Sequence, residues 1–138
     1  MAVSHQGVYV QTPQPAVQTF VNADGTGLKD IATAGADGTK LVAINVTSND
    51  SSNRTIVFSL LRGGVNYNLC ALNVLANAGT DGIVTAMSAL SVMPSCARDN
   101  DGNQYFFLKS GDKLQGNIIV AAVTAAKKVD VMVTAADF

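Results

Sequence analysis

The stretch KLVAINVTS, residues 40–48, alternates its side chains with a strict period of two. Val42, Ile44 and Val46 share one face, and Ala43, Asn45 and Thr47 share the other. Successive side chains of an extended strand point to opposite sides, so this pattern makes one dry face and one wet face. The β-branched residues at the dry positions add to the strand preference. The segment RTIVFSLLR, residues 54–62, repeats the pattern, with Ile56, Phe58 and Leu60 expected inside and Thr55, Val57, Ser59 and Leu61 outside. Between the two lies NDSSN, which has the length and the turn chemistry of a hairpin link.

The rest of the chain follows the same rhythm. VQTFV (17–21) and LKDIAT (28–33) read as short strands, each followed by an Asp-Gly turn. Gly63-Gly64 reverses the chain into YNLCALNVLA (67–76), whose two faces are both apolar, as in a strand buried on two sides. IVTAMSALSVM (83–93) reads either as a strand or as a helical turn, and Pro94 stops it. QYFFLK, KLQGNIIVAAVT and KKVDVMVTA supply the remaining strands, with Val129, Val131 and Val133 on one face. About eight strands with turn signals every 8–12 residues predict an all-β chain, an antiparallel β-sandwich or jelly roll. No strand–helix alternation argues for a parallel α/β sheet.

Residues 1–16 differ in kind. Glutamines and the pair Pro13 and Pro15 dominate them, and Val8, Tyr9 and Val10 form their one apolar cluster. Pro-x-Pro disfavours helix and central strand alike. The expected organisation is an extended N-terminal arm over 1–16 and a sandwich domain over 17–138.

The chain has 138 residues, of which 48% are hydrophobic and only 14% charged. About 25% charged is typical of soluble domains, so a surface this sparsely charged fits one that is partly covered in an assembly. Nine basic residues stand against ten acidic ones, and Lys127-Lys128 is the one adjacent basic pair. Phosphate neutralisation needs a cluster of Lys and Arg, so nucleic acid is not an expected partner. No run of about 18 apolar residues predicts a membrane helix, and the first residues lack the basic start and apolar core of a signal peptide. The three Asn-x-Ser/Thr triplets at Asn45, Asn49 and Asn53 therefore read as turn chemistry rather than glycan acceptors.

Catalytic and metal motifs fail on inspection. His5 is the single histidine, and it sits in the arm, a poor place to orient a base. Asp99, Asp101 and Asn103 match the first, third and fifth positions of a calcium loop. Gln104 then replaces the turn glycine and Ser110 the bidentate glutamate. Ser110 and Lys113 fit Ser-x-x-Lys, but Gly111-Asp112 makes a turn where that motif needs a helix. Cys70 and Cys96 have no zinc spacing and read as small buried hydrophobes. No catalytic, cofactor-binding or metal-binding residue is expected. The apolar residues Val57, Leu61, Leu72 and Ile119, on presumed outer faces, suggest a protein-binding patch instead.

TAGADGTKLVAINVTSNDSSNRTIVFSLLRGGVNYNL, the loop AGTDG at 78–82 and DNDGNQYFFLKSGDKLQ resemble the head decoration, or cement, proteins of tailed bacteriophages. The likeness spans residues 33–134, is one of strands and turns, and carries no active-site residue. It implies a jelly-roll sandwich bound to the outer surface of the virion shell and assembled in the host cytoplasm. The implied partners are the phage major capsid protein and further copies of the chain, as a homodimer or homotrimer, with no membrane involved. Val8, Tyr9, Val10, Val57 and Leu61 are the expected contact residues. The alternative is a neck or tail protein, or a receptor- or carbohydrate-binding sandwich of a phage.

Overall fold

The computed structural model describes residues 9–138. Its strands are β1 (Thr12–Pro13), β2 (Ala16–Val21), β3 (Lys29–Thr33), β4 (Thr39–Ser48), β5 (Arg54–Arg62), β6 (Val65–Val74), β7 (Met87–Ser88), β8 (Ala97–Arg98), β9 (Gln104–Leu108), β10 (Lys113–Ile119) and β11 (Lys128–Asp137). One sheet runs β1-β11-β4-β9-β8, with β2 also on β11 and β7 also on β4; the other runs β3-β10-β5-β6. Every pairing is antiparallel.

Among the described residues, eight strands have five residues or more: β2 to β6 and β9 to β11. Counted in chain order, they lie first, eighth, third, sixth in one sheet and second, seventh, fourth, fifth in the other. That order is the double Greek key of a jelly roll. The expected all-β sandwich of about eight strands is the observed architecture.

The core fills the gap between the sheets. Val129, Val131 and Val133 of β11 join Ile44 and Val46 of β4 and Phe20 of β2; Ile56 and Phe58 of β5 and Leu114 and Ile118 of β10 close it from the other side, all buried. Gly116 makes the facing possible, because a Cβ there would stand 2.8 Å from Ile31 Cδ1 and 3.5 Å from Phe20 Cζ.

Four local expectations are corrected. Val42 does not share the inner face with Ile44 and Val46; it is 44% exposed and Leu41 is buried in its place. Ala43 faces Thr134 while Leu41 faces Ala135, so Val42 is the extra residue of a β-bulge that shifts the phase of the strand. NDSSN is not a hairpin link, because β4 and β5 belong to different sheets and the segment crosses between them. YNLCALNVLA is not buried on both sides. It lies in β6, an edge strand, where a bulge at Leu69 separates Asn68, opposite Ser59, from Cys70, opposite Phe58. Leu72, expected outside, is buried inside as a result.

IVTAMSALSVM resolves into both readings, the two-residue strand β7 followed by a 3-10 turn, Leu90–Val92. The hairpin at Gly63-Gly64 forms as expected. Arg62 faces Val65, and the two glycines have φ of +59° and +77°, a left-handed pair that glycine adopts without Cβ strain.

Candidate interaction surface

Two loop clusters at the ends of β5 set the frame. At its start, Asp50 is fully buried and accepts from Arg54 Nε at 2.8 Å, from Thr124 N at 2.8 Å and Oγ1 at 2.9 Å, and from Ser52 N at 3.0 Å. Its carbonyl accepts from Asn77 N. Burial by itself would raise the pKa of Asp50, but the Arg54 guanidinium and these N–H and O–H donors outweigh it and hold the carboxyl far below its ordinary value. At the end of β5, Arg62 grips the buried Asp112 with two bonds, Nε to Oδ1 at 2.8 Å and Nη2 to Oδ2 at 2.5 Å. Arg62 first, then the Lys109 N–H, lowers the Asp112 pKa. Each arginine thus ties a crossing loop to the same strand.

The solvent faces of the two sheets differ. On the four-stranded sheet, Gln115 Nε2 donates to Asp30 Oδ1 at 2.6 Å and Lys113 Nζ to Asp30 Oδ2 at 3.0 Å. Asn66 Nδ2 donates to Gln115 Oε1 and to Ser59 Oγ, so Ser59 lies outside the core yet buried beneath this polar layer. Val57 and Leu61, two of the expected contact residues, sit half-buried on this face. Ile119, also half-buried, lies at its end opposite Thr55.

The seven-stranded sheet turns apolar side chains to solvent. Met132 pairs in register with Val17 and with Asn45, and Met132 and Val17 are 53% and 60% exposed. Phe107, 50% exposed, stands opposite Lys40 and packs edge-on against Tyr105 at 5.1 Å and tilted against Phe138 at 5.7 Å. Lys40 Nζ lies 4.7 Å from the centre of the Tyr105 ring. Exposed Val42 belongs to the same face, beside a cleft of about 370 Å³ that Lys40, Ser88, Asp99, Asn103 and Tyr105 line. The sequence pattern hides this face. Val42 reads as core until the bulge is known, and Met132 is one polar-side position among the alternating valines of β11.

Of the other expected contact residues, Val8 lies outside the described residues, as does His5. Tyr9 and Val10 are exposed where the chain approaches β1. Gln11 and Gln14 donate backbone N–H bonds at 2.8 Å to Asp137 and Ala135, so this stretch runs along β11 and leaves Pro13 and Pro15 on the sheet edge. The structure therefore does not bring Tyr9 and Val10 together with Val57 and Leu61, which lie on the other sheet.

The residues of the calcium-like segment form a hairpin loop. Asp99 Oδ1 accepts the N–H groups of Asp101 and Asn103, each at 2.9 Å, with Gly102 at φ +83°. Among the described residues, no three His, Cys, Asp or Glu side chains gather as a metal-ligand group, and no helix is long and apolar enough to cross a membrane. Cys70 and Cys96 are free thiols packed against the core, and burial pushes the Cys70 thiol up to about 11.

No family model matches the chain, and no curated protein matches it. Among solved structures it is similar to a chain of the cyanophage Pam1 capsid asymmetric unit, at 14% identity over 100% of this chain and 93% of that chain, with a TM-score of 0.43. That likeness assigns no role to any residue here.

Proposed function

We propose that the chain is a structural protein of a phage virion, a decoration or cement subunit that binds the outer surface of the major capsid protein shell. The observation that carries this reading is the contrast between the two sheet faces. One is a hydrogen-bonded polar layer, and the other presents Val17, Val42, Phe107 and Met132 to solvent. Methionine and aromatic side chains are the types that concentrate at protein–protein contacts. The resemblance of residues 33–134 to cement proteins supplies the partner. The mechanism is mechanical. A subunit that touches several capsid proteins can hold each weakly, because the contacts act together, and it stabilises the assembled state by mass action. Tyr9, Val10, Val57 and Leu61 are secondary contacts in this reading, and the subunit acts as a homo-oligomer without nucleic acid or membrane.

Shells prepared without the protein should rupture at lower temperature than complete ones and regain their stability when it is added back. Equal rupture temperatures would remove the reading. The cleft beside Tyr105 favours a second reading, a carbohydrate-binding sandwich. Chemical-shift changes at Tyr105 and Ser88 on adding host surface glycans, with no effect on shell rupture, would favour it.

A further inference from the structure

A sheet edge is a row of unpaired backbone groups, and folded proteins shield such rows with prolines, charges or brevity. Three edges of this sandwich are shielded. Pro13 and Pro15 lie on the β1/β2 edge, and β8 is two residues long. On β3, Lys29 and Asp30 add charge, and the Asp30 carbonyl already accepts from Gln18 Nε2 at 2.7 Å. The fourth edge, β6, is ten residues long with neither charge nor proline. Among the described residues its backbone pairs with β5 alone. The bulge at Leu69 divides it, and the free stretch Val65–Asn68 is exposed throughout, Val65 at 51% and Tyr67 at 53%.

We propose that this stretch pairs antiparallel with the same stretch of a second copy about a two-fold axis, joining two four-stranded sheets into one of eight. The side chains favour a copy over a foreign strand, because the edge is complementary to itself. A two-fold pairing must place residues of the same sheet face opposite each other. In the register centred on Tyr67, the two Tyr67 rings meet at the axis and Asn66 of each copy faces Asn68 of the other. Both Nδ2 hydrogens of Asn66 are used, on Ser59 and Gln115, which leaves its Oδ1 free to accept. The Asn68 amide has no partner among the described side chains and is free to donate. The symmetry makes that bond twice, and an uncharged strand sets no like charges against each other.

The test is the mass of the full-length protein in solution by analytical ultracentrifugation. The wild type should sediment as an even-numbered oligomer at micromolar concentration. Tyr67→Lys, which sets two ammonium groups across the axis, should reduce it to half that mass with an unchanged circular-dichroism spectrum. Tyr67→Cys under mild oxidation should give a covalent dimer, a readout that stands even if the lysine variant folds poorly. Met132→Lys, on the other sheet, should leave the mass unchanged. A monomeric wild type, a trimer, or a dimer that survives Tyr67→Lys while the Tyr67→Cys variant forms no cross-link would overturn the proposal. So would a monomer that loses shell binding on Tyr67→Lys, which would give this edge to a strand of the shell. None of these masses depends on whether the protein decorates a capsid.

Discussion

Asp50 is the residue on which most of one end of the sandwich depends. Its carboxylate satisfies donors from Ser52, Arg54 and Thr124, while its carbonyl holds Asn77. Asp50→Ala would leave Arg54, 13% exposed, without its carboxylate, together with the backbone N–H groups of Ser52 and Thr124. Breaking a buried pair from one side costs about 3–5 kcal/mol, so the variant should lose that much in urea unfolding, well beyond Asp101→Ala in the exposed hairpin loop. The same group sets an acid limit. Asp50, Asp112 and Asp30 all have pKa values lowered in the fold, Asp112 chiefly by Arg62 and Asp30 chiefly by Gln115 and then Lys113. A lowered folded pKa contributes stability that is complete above the unfolded value and is lost as pH falls through the folded one. Unfolding free energy should therefore be flat from about pH 7 to 5 and decline below about pH 4, the ordinary carboxylate range. A decline that begins near pH 6 would contradict this.

At the scale of the element, the strands were legible because alternation is local. Ile56, Phe58 and Leu60 go inside as their spacing predicts, and so do Val129, Val131 and Val133. Alternation misleads where one extra residue changes the phase. The bulges at Val42 and Leu69 leave no mark in composition, yet each inverts the face of the residues beyond it. Pairing was less legible still. NDSSN has hairpin chemistry, but its Asp50 bonds Thr124 in the β10–β11 connection, a long-range contact that no local pattern contains. The Gly63-Gly64 turn was legible, since two glycines between alternating runs fit few other conformations. Ala at both positions must take left-handed φ, at roughly 1 kcal/mol or more each. The double variant should lose about 2–3 kcal/mol, and Gly63→Asn, which tolerates that region, should lose much less. Equal losses for Asn and Ala would argue against the left-handed turn.

For the whole molecule, the jelly-roll order places two unlike faces back to back. Two of the five contact residues expected from sequence, Val57 and Leu61, fall on the polar-layered face, whereas Val17, Phe107 and Met132 mark the other. Phe107 and Met132 were hidden because exposure depends on which strands cover a face, and that is decided by topology rather than by the strand's own alternation. The two faces make opposite predictions. Val17→Asp with Met132→Lys should cut shell binding at least tenfold with little change in stability, since both side chains already meet water and the new charges are opposite in sign across the paired strands. Val57→Ala with Leu61→Ala should change stability more than binding. A binding assay on empty shells, paired with thermal unfolding, separates the two.

The central proposal, that the chain coats a phage capsid, is tested most directly by its copy number per particle in purified virions, measured by quantitative mass spectrometry against the major capsid protein. A shell component requires hundreds of copies per particle. A dozen or fewer would contradict the account and assign the protein to a neck or tail.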